Sequence, residues 1–306
     1  MPRSLYFALL SLSLIWGGSF FFIKILLHDY GPWTIAFFRS AFGLAVIIAV
    51  MLIMRKPFDI RKIRWIPMAV MALINTAIPW AFIGFAETKL TSGMASVLNA
   101  TTPLWTVIIG VLFFGAVTNR LQWLGMIISL AGLLILVGVN PVSIISVDPL
   151  GAAGMIAATL CYAVGSHLSK RLKGLSMYQV TFGTLISAMI GSGIVALLVE
   201  PDSLLQLPSA VSISALIGLG VFGSGFAYIL FYFLIQKGSP EFATMVTYLV
   251  PVSAIVWGYA LLNEDIHWSL LTGLAFILAG VFLASKKSPR KADGCHPHQA
   301  QWEKEV

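Results

Sequence analysis

The sequence predicts an all-α integral membrane protein: ten transmembrane helices arranged as two inverted five-helix repeats, with both termini on the cytoplasmic side. Three observations predict it. Of 306 residues, 58% are hydrophobic and only 10% charged, with a mean hydropathy of +0.92, whereas a soluble domain carries roughly 25% charged residues. Apolar stretches recur that match the ~20 residues a helix needs to cross ~30 Å of hydrocarbon. The lysines and arginines between them fall almost wholly in alternate connecting segments.

The spans follow in order from the punctuation between them. The first, 5–27, starts after Arg3 and ends at "HDYGP"; the second, 33–54, runs from there to "RKPFDIRKIR". The third, 65–86, stops at "ETK", and the fourth, 91–114, at Gly115. Arg120 precedes the fifth, 121–138. After a connecting loop at 139–149, the sixth span, 150–169, ends at "KRLKG" and the seventh, 176–199, at "EPDS". The last three are 212–235, ending near Lys237; 240–262, ending at "NED"; and 268–285. This divides the chain into a first repeat (1–138), the loop, a second repeat (150–285) and a polar cytoplasmic tail (286–306) without apolar periodicity. The first span resembles a signal peptide only in having Arg3 ahead of it; it is too long, contains Lys24 and is followed by many more spans.

Orientation follows from the cations. With the N-terminus inside, sixteen lysines and arginines lie on the cytoplasmic side and Lys89 alone on the other, Lys24 and Arg39 being within spans. This accounts for a pI near 9.5 without a basic soluble face, so no nucleic-acid partner is expected. Cys161 lies in a span and Cys295 in the tail, which indicates no disulfide framework.

The two halves repeat. An offset of 148 positions aligns 91–136 with 239–284, pairing Ala95 with Ala243, Pro103 with Pro251, Gly110 with Gly258, Gly125 with Gly273, and "LAG" 130–132 with "LAG" 278–280. An offset of 146 lays the first span on the sixth, Trp16 on Tyr162 and Lys24 on Lys170. Five spans per copy is odd, so the copies cross in opposite senses, as in many secondary transporters.

With this architecture, "WGGSFFFIK" in the first span, "FFRSAFGLA" in the second, "LNATTPLWTVIIGVLFFG" with "LGMIISLAGLLILVG" across the fourth and fifth, and "LVPVSAIVWGYALLNEDIHWSLLTGLAFILAGVFL" near the end resemble EamA-type members of the drug/metabolite transporter superfamily. The resemblance covers about 5–285. It implies a carrier of amino acids, drugs, sugars or other metabolites. It also implies a structural or gating role for Arg39, since many of the family's carriers have an arginine at the matching place. Family halves often carry a glutamate after the fourth and ninth spans; here Glu264 is present, and its counterpart is Ala116.

A carrier needs a pocket near the bilayer midplane between its repeats. Trp16, Phe20 and Lys24 are spaced i, i+4, i+8 on one side of a helix, and Tyr162, Ser166 and Lys170 form the equivalent line. Trp16 and Tyr162 lie off the interfacial aromatic belt, so they either face substrate or hydrogen bond within helix packing. Lys24 lies about 12 Å beyond Trp16; it is either a snorkelling anchor or a gate. Arg39 sits roughly 7 Å from the middle of its span, deep enough to face the bundle interior, where it supports structure or meets a substrate carboxylate. Pro79, Pro103 and Pro251 kink their helices and free carbonyls. Asn75 and Asn99, each one turn before a proline, and Thr102 and Thr106 either satisfy that backbone or line the cavity. Tyr228, Tyr232 and Tyr248 are further pocket candidates. Gly125, Gly132, Gly273 and Gly280 mark close helix contacts, with a homodimer face among the readings.

The carboxylates fall in loops, in the tail or at span ends, with Glu87, Glu241 and Glu264 nearest the membrane, so no mid-span proton relay is expected. His167 reads as a packed or interfacial histidine rather than a proton-coupling one. "CHPH" at 295–298 is too isolated to indicate a metal, and no cofactor is expected. The absence of a His/Asp/Glu cluster argues against an intramembrane enzyme, and the absence of a glycine-rich phosphate loop against an ATP-driven pump. The expected function is a secondary carrier in a bacterial inner membrane, exporting small metabolites such as amino acids or amphipathic organic compounds by alternating access. An importer or exchanger of sugar- or nucleotide-type metabolites is the alternative. The expected partners are a small-molecule substrate and the lipid bilayer.

Overall fold

The computed structural model describes residues 3–115, 118–137, 147–169, 172, 174–237 and 245–285. Ala116, Lys170, Glu241, the loop residues 138–146, the tail and the Tyr232 side chain lie outside that description. Regular structure among the described residues is helical throughout. The helices are α1 (Arg3–Leu26), α2 (Pro32–Ile53), α3 (Trp65–Ala72), α4 (Ile78–Glu87), α5 (Ser92–Asn99), α6 (Thr102–Phe114) and α7 (Arg120–Val137) in the first half. The second half holds α8 (Pro149–Ser169), α9 (Met177–Val199), α10 (Pro201–Leu205), α11 (Ala210–Leu216), α12 (Ala227–Lys237), α13 (Val246–Leu262) and α14 (Trp268–Ser285). Among the described residues, seven helical stretches are long and apolar enough to cross a membrane, and Arg120–Leu136, Val246–Leu262 and Trp268–Ala284 are shorter apolar helices.

The third, fourth and eighth expected spans are each built from two helices. A π-helical stretch, Leu73–Ala77, joins α3 to α4 just ahead of Pro79, and a longer one, Ile217–Phe226, joins α11 to α12. Between α5 and α6 the chain breaks at Ala100–Thr101, ahead of Pro103. Pro103 cannot donate to the Asn99 carbonyl four residues back; the Thr102 hydroxyl donates to it instead, at 2.7 Å. The threonine, and not the asparagine side chain, repairs the backbone.

The repeat is visible in backbone detail. α6 ends at Gly115, left-handed at φ +64, whose N–H donates to Gly110 O. α13 ends at Asn263, left-handed at φ +53, whose N–H donates to Gly258 O. The pairs are 148 positions apart, and so are Leu73–Ala77 and the core of the second π-helical stretch. Packing obeys the same exchange: α1 lies on α13 as α8 lies on α6, while α2 packs on α9 and α7 on α14. On the α7–α14 contact, Ser129 Oγ donates to the carbonyl of its own repeat equivalent, Ile277.

That contact uses the glycines. A Cβ on Gly125 would lie 2.5 Å from Gly280 O and Ala284 N, and one on Gly132 would lie 2.9 Å from Gly273 O. The glycines expected to mark a close helix face therefore meet one another within the chain. Lipid tails give no hydrophobic drive between helices, so such backbone approach is what holds them. Outward, large apolar residues are bare: Phe7 is 75% exposed, Phe113 76% and Leu198 78%, a surface suited to lipid rather than water.

Polar latches tie helix ends across the halves. Glu200 accepts from Trp33 N, Thr34 N and Thr34 Oγ1 at 2.9–3.2 Å, capping α2 from the other half. Glu264 caps α5 the same way, accepting from Ser92 N, Ser92 Oγ and Gly93 N at 2.7–3.1 Å. Asp29 accepts from Ser212 Oγ at the start of α11. Asp148 accepts from the N–H groups of Leu150 and Gly151 at 2.9 Å; these bonds, that of Gly151 foremost, hold its carboxyl below the usual carboxylate range. At the opposite end, Gln179 Nε2 donates to Asp59 Oδ2 at 3.3 Å.

Replacing Gly280 with valine forces α7 and α14 apart and is expected to cost about 1–3 kcal/mol, read as a lower thermal midpoint and folded yield in detergent. Glu200→Ala is expected to cost about 0.5–2 kcal/mol by the same measurement.

Candidate functional site

Between the halves lies a cavity of about 390 Å³, within the size range of small-molecule sites. α1 and α8 supply Trp16, Ser19, Phe20 and Ile23, and Tyr162 and Ser166. Asn75 enters from the first π-helical stretch and Gly223 from the second; Trp80 and Ile83 follow on α4, and Tyr228 on α12. The α5–α6 break contributes Ser96, Asn99, Ala100, Thr102, Pro103 and Thr106, and α13 contributes Thr247, Val250 and Pro251. Most of these residues form repeat-equivalent couples: Trp16 with Tyr162, Phe20 with Ser166, Asn75 with Gly223, Trp80 with Tyr228, Asn99 with Thr247, Pro103 with Pro251.

The broken helices shape the walls. In the second π-helical stretch the Gly223 carbonyl accepts from Trp16 Nε1 at 3.2 Å, and Trp16 packs on Phe231 with ring centroids 5.5 Å apart. Trp16 thus makes both contacts weighed from sequence, a packing hydrogen bond and a cavity wall. Asn75 lines the cavity and packs on Gly165 of α8. Asn99 Oδ1 is buried with no hydrogen-bond partner.

Arg39 is the cation of the cavity, only 8% exposed. Nε donates to Ser224 Oγ at 3.0 Å, and Cζ lies 3.9 Å from the centroid of the Trp80 ring, a cation–π stack. Tyr162, Tyr228 and Glu87 are within electrostatic range. Arg39 has no cationic twin: either repeat offset places Leu185 or Ser187 opposite it.

Three candidates lie elsewhere. Tyr248 packs against the core beside the cavity: Thr247, Val250 and Pro251 share a face at helical spacing, and position 248 turns about 100° away from it. His167 stacks on Phe114 at 4.4 Å and 8°, with Nε2 3.2 Å from Thr106 O, a packed histidine. Lys24 is held at the end of α4. Its ammonium donates to Glu87 O at 2.5 Å and Leu90 O at 2.8 Å, closing the end of α4; those carbonyls, left open where the helix stops, outcompete the headgroup region.

Trp80, Ser224 and Glu87 were missed from sequence. Trp80 carried the signal applied to Trp16, a tryptophan away from the interfacial belt. Ser224 sits in "GLGVFGSGF", where the density of glycine pointed to irregular backbone. Glu87 was read as a span-end carboxylate, yet it is 0% exposed, because Lys24 and the turn to Leu90 fold over it.

Comparison with known proteins agrees with this architecture. The chain matches the EamA-like transporter family over residues 3–138 and 149–286. It is 30% identical to the inner membrane transporter YedA of Escherichia coli strain K12, over 94% of this chain and 93% of that one. It is 24% identical to the transporter YoaV of Bacillus subtilis strain 168 (90% and 94%) and 25% identical to Protein PecM of Dickeya dadantii strain 3937 (88% and 88%). A solved crystal structure, 18% identical, superposes with a TM-score of 0.63 over 93% of this chain and 97% of that one, which concerns the fold alone. Two matched halves, helices suited to lipid and a relative named for the inner membrane make this chain a multi-pass bacterial inner-membrane protein that belongs to the EamA-like transporter family.

Proposed function

We propose that the chain is a secondary exporter of small metabolites carrying a carboxylate and an apolar body, amino acids or amphipathic organic compounds. It works by alternating access, with ten spans in two inverted repeats and both termini cytoplasmic. The observation that carries the reading is a cavity walled by repeat-equivalent couples and holding an arginine without a cationic repeat equivalent. Two similar half-walls let the halves exchange roles as either end opens. Within it, Arg39 offers a planar fork to a carboxylate, Trp16, Phe20 and Trp80 an apolar wall, and Asn99 Oδ1 an acceptor for an ammonium or hydroxyl. The cation asymmetry supports the orientation. With that orientation, Glu200, Glu264, Asp29 and Lys24 latch the periplasmic end.

Counterflow in proteoliposomes loaded with a mixture of amino acids tests the substrate class; exchange of sugars or nucleotides in their place would support the importer or exchanger reading instead. Trp16→Ala is expected to abolish counterflow while leaving membrane abundance intact. Arg39→Gln is expected to raise half-saturation for carboxylate substrates about tenfold or more, the size of a lost hydrogen bond to a charged group, and Arg39→Lys to restore it only in part because the stack on Trp80 is lost. Unchanged half-saturation in Arg39→Gln would remove the arginine from substrate contact.

A further inference from the structure

Glu87 is a buried carboxylate with nothing assigned to it. Both side-chain oxygens are shielded and neither accepts a hydrogen bond. The residue ends a stripe on α4, one turn (about 6 Å) beyond Ile83 and two beyond Trp80, which line the cavity. It therefore sits behind the cavity at its latched end. The charged groups acting on it are Lys24 from α1, Arg39 from α2 and Glu264 from the loop before α14. α5 carries no ionisable side chain, and α8 contributes Cys161, Tyr162 and His167, of which Tyr162 acts on Arg39 and His167 is stacked on Phe114. Lys24, the cation best placed to neutralise Glu87, spends its ammonium on the carbonyls of Glu87 and Leu90.

An ionised carboxylate in a dry site without a donor is costly, and such a group neutralises by taking a proton. We infer that Glu87 is the proton site of the transport cycle, protonated while the Lys24 end is latched and deprotonated when that end opens. On opening, water reaches the carboxyl and the O–H proton passes to it. The carboxylate left behind is matched by the Lys24 ammonium as it leaves the two carbonyls; the pair goes from +1 to neutral, and the released proton carries the difference to water. The repeat equivalent of Glu87 is Ile235, so only one end of an otherwise two-fold cavity carries the site. This inference rests on the transport reading, and makes the carrier proton-coupled.

The full-length chain in phosphatidylethanolamine–phosphatidylglycerol liposomes, labelled with ¹³C-glutamate, gives the direct test by infrared difference spectroscopy as the buffer is taken from acid to alkaline. The expected result is an isotope-shifted protonated-carboxyl band present at neutral pH and lost in the isosteric Glu87→Gln. A wild-type spectrum without that band, or a band that persists in Glu87→Gln, overturns the site. So does a band that sodium removes at constant pH, which would make it a metal-cation site. Glu87→Asp, expected to replace the isotope-shifted band with an unshifted carboxyl band because aspartate carries no label, serves if the glutamine variant folds poorly. Counterflow of the amino-acid mixture reads coupling: the wild-type rate is expected to vary with pH and the Glu87→Gln profile to be flat. A variant that keeps the wild-type profile overturns coupling. Absence of counterflow in wild type sinks the amino-acid substrate reading, while the infrared band still decides the proton site.

Discussion

Inside a membrane there is no water to pair a backbone group that loses its helical partner, and the cavity of this protein is built where helices lose such partners. Pro103 strands the Asn99 carbonyl and Thr102 takes it. The π-helical stretch ahead of α12 presents the Gly223 carbonyl and Trp16 takes it, while the neighbouring Ser224 hydroxyl receives Arg39. The helix end at Glu87 and Leu90 leaves carbonyls and Lys24 takes them. Each repair draws a side chain from elsewhere into the centre of the bundle or its end. Distorted backbone and functional side chains coincide here for one reason: broken helix is tolerable in a bilayer only where protein or a polar cavity can answer it.

Two kinds of residue share the centre. The walls are nearly two-fold, tryptophan against tyrosine, asparagine against threonine, proline against proline, and both halves distort their third helix at equivalent positions. The charges are not. The repeat equivalent of Arg39 is Leu185 or Ser187, and that of Glu87 is Ile235. The shell repeats, whereas the lone charges make the two ends of the cavity electrostatically different. Glu200 and Glu264 strengthen the difference, since each caps a helix of the opposite half by accepting from two backbone N–H groups and a hydroxyl.

Much of this was legible from residues alone. Apolar length, cation placement and the matched Pro and Gly positions specified the helices and their repetition, because those signals are local: a helix in lipid must be apolar over its whole length, and a proline breaks the helix it is in. The line Trp16–Phe20 and its counterpart Tyr162–Ser166 were readable for the same reason, by helical spacing within one segment.

What the sequence by itself determined, then, was class, spans, repetition and the aromatic rows of the first and sixth helices. The tertiary structure alone decided which neighbour each polar group meets. Lys24 looked like an anchor because its nearest alternative in sequence was the headgroup layer, yet the carbonyls of Glu87 and Leu90 lie within reach. The glycines of α7 marked a close contact without naming its partner, which is α14. Glu87 looked solvated until the latched helix ends closed over it. Contacts of this kind join residues tens to hundreds of positions apart, and their energies depend on distance and burial, which no local pattern encodes.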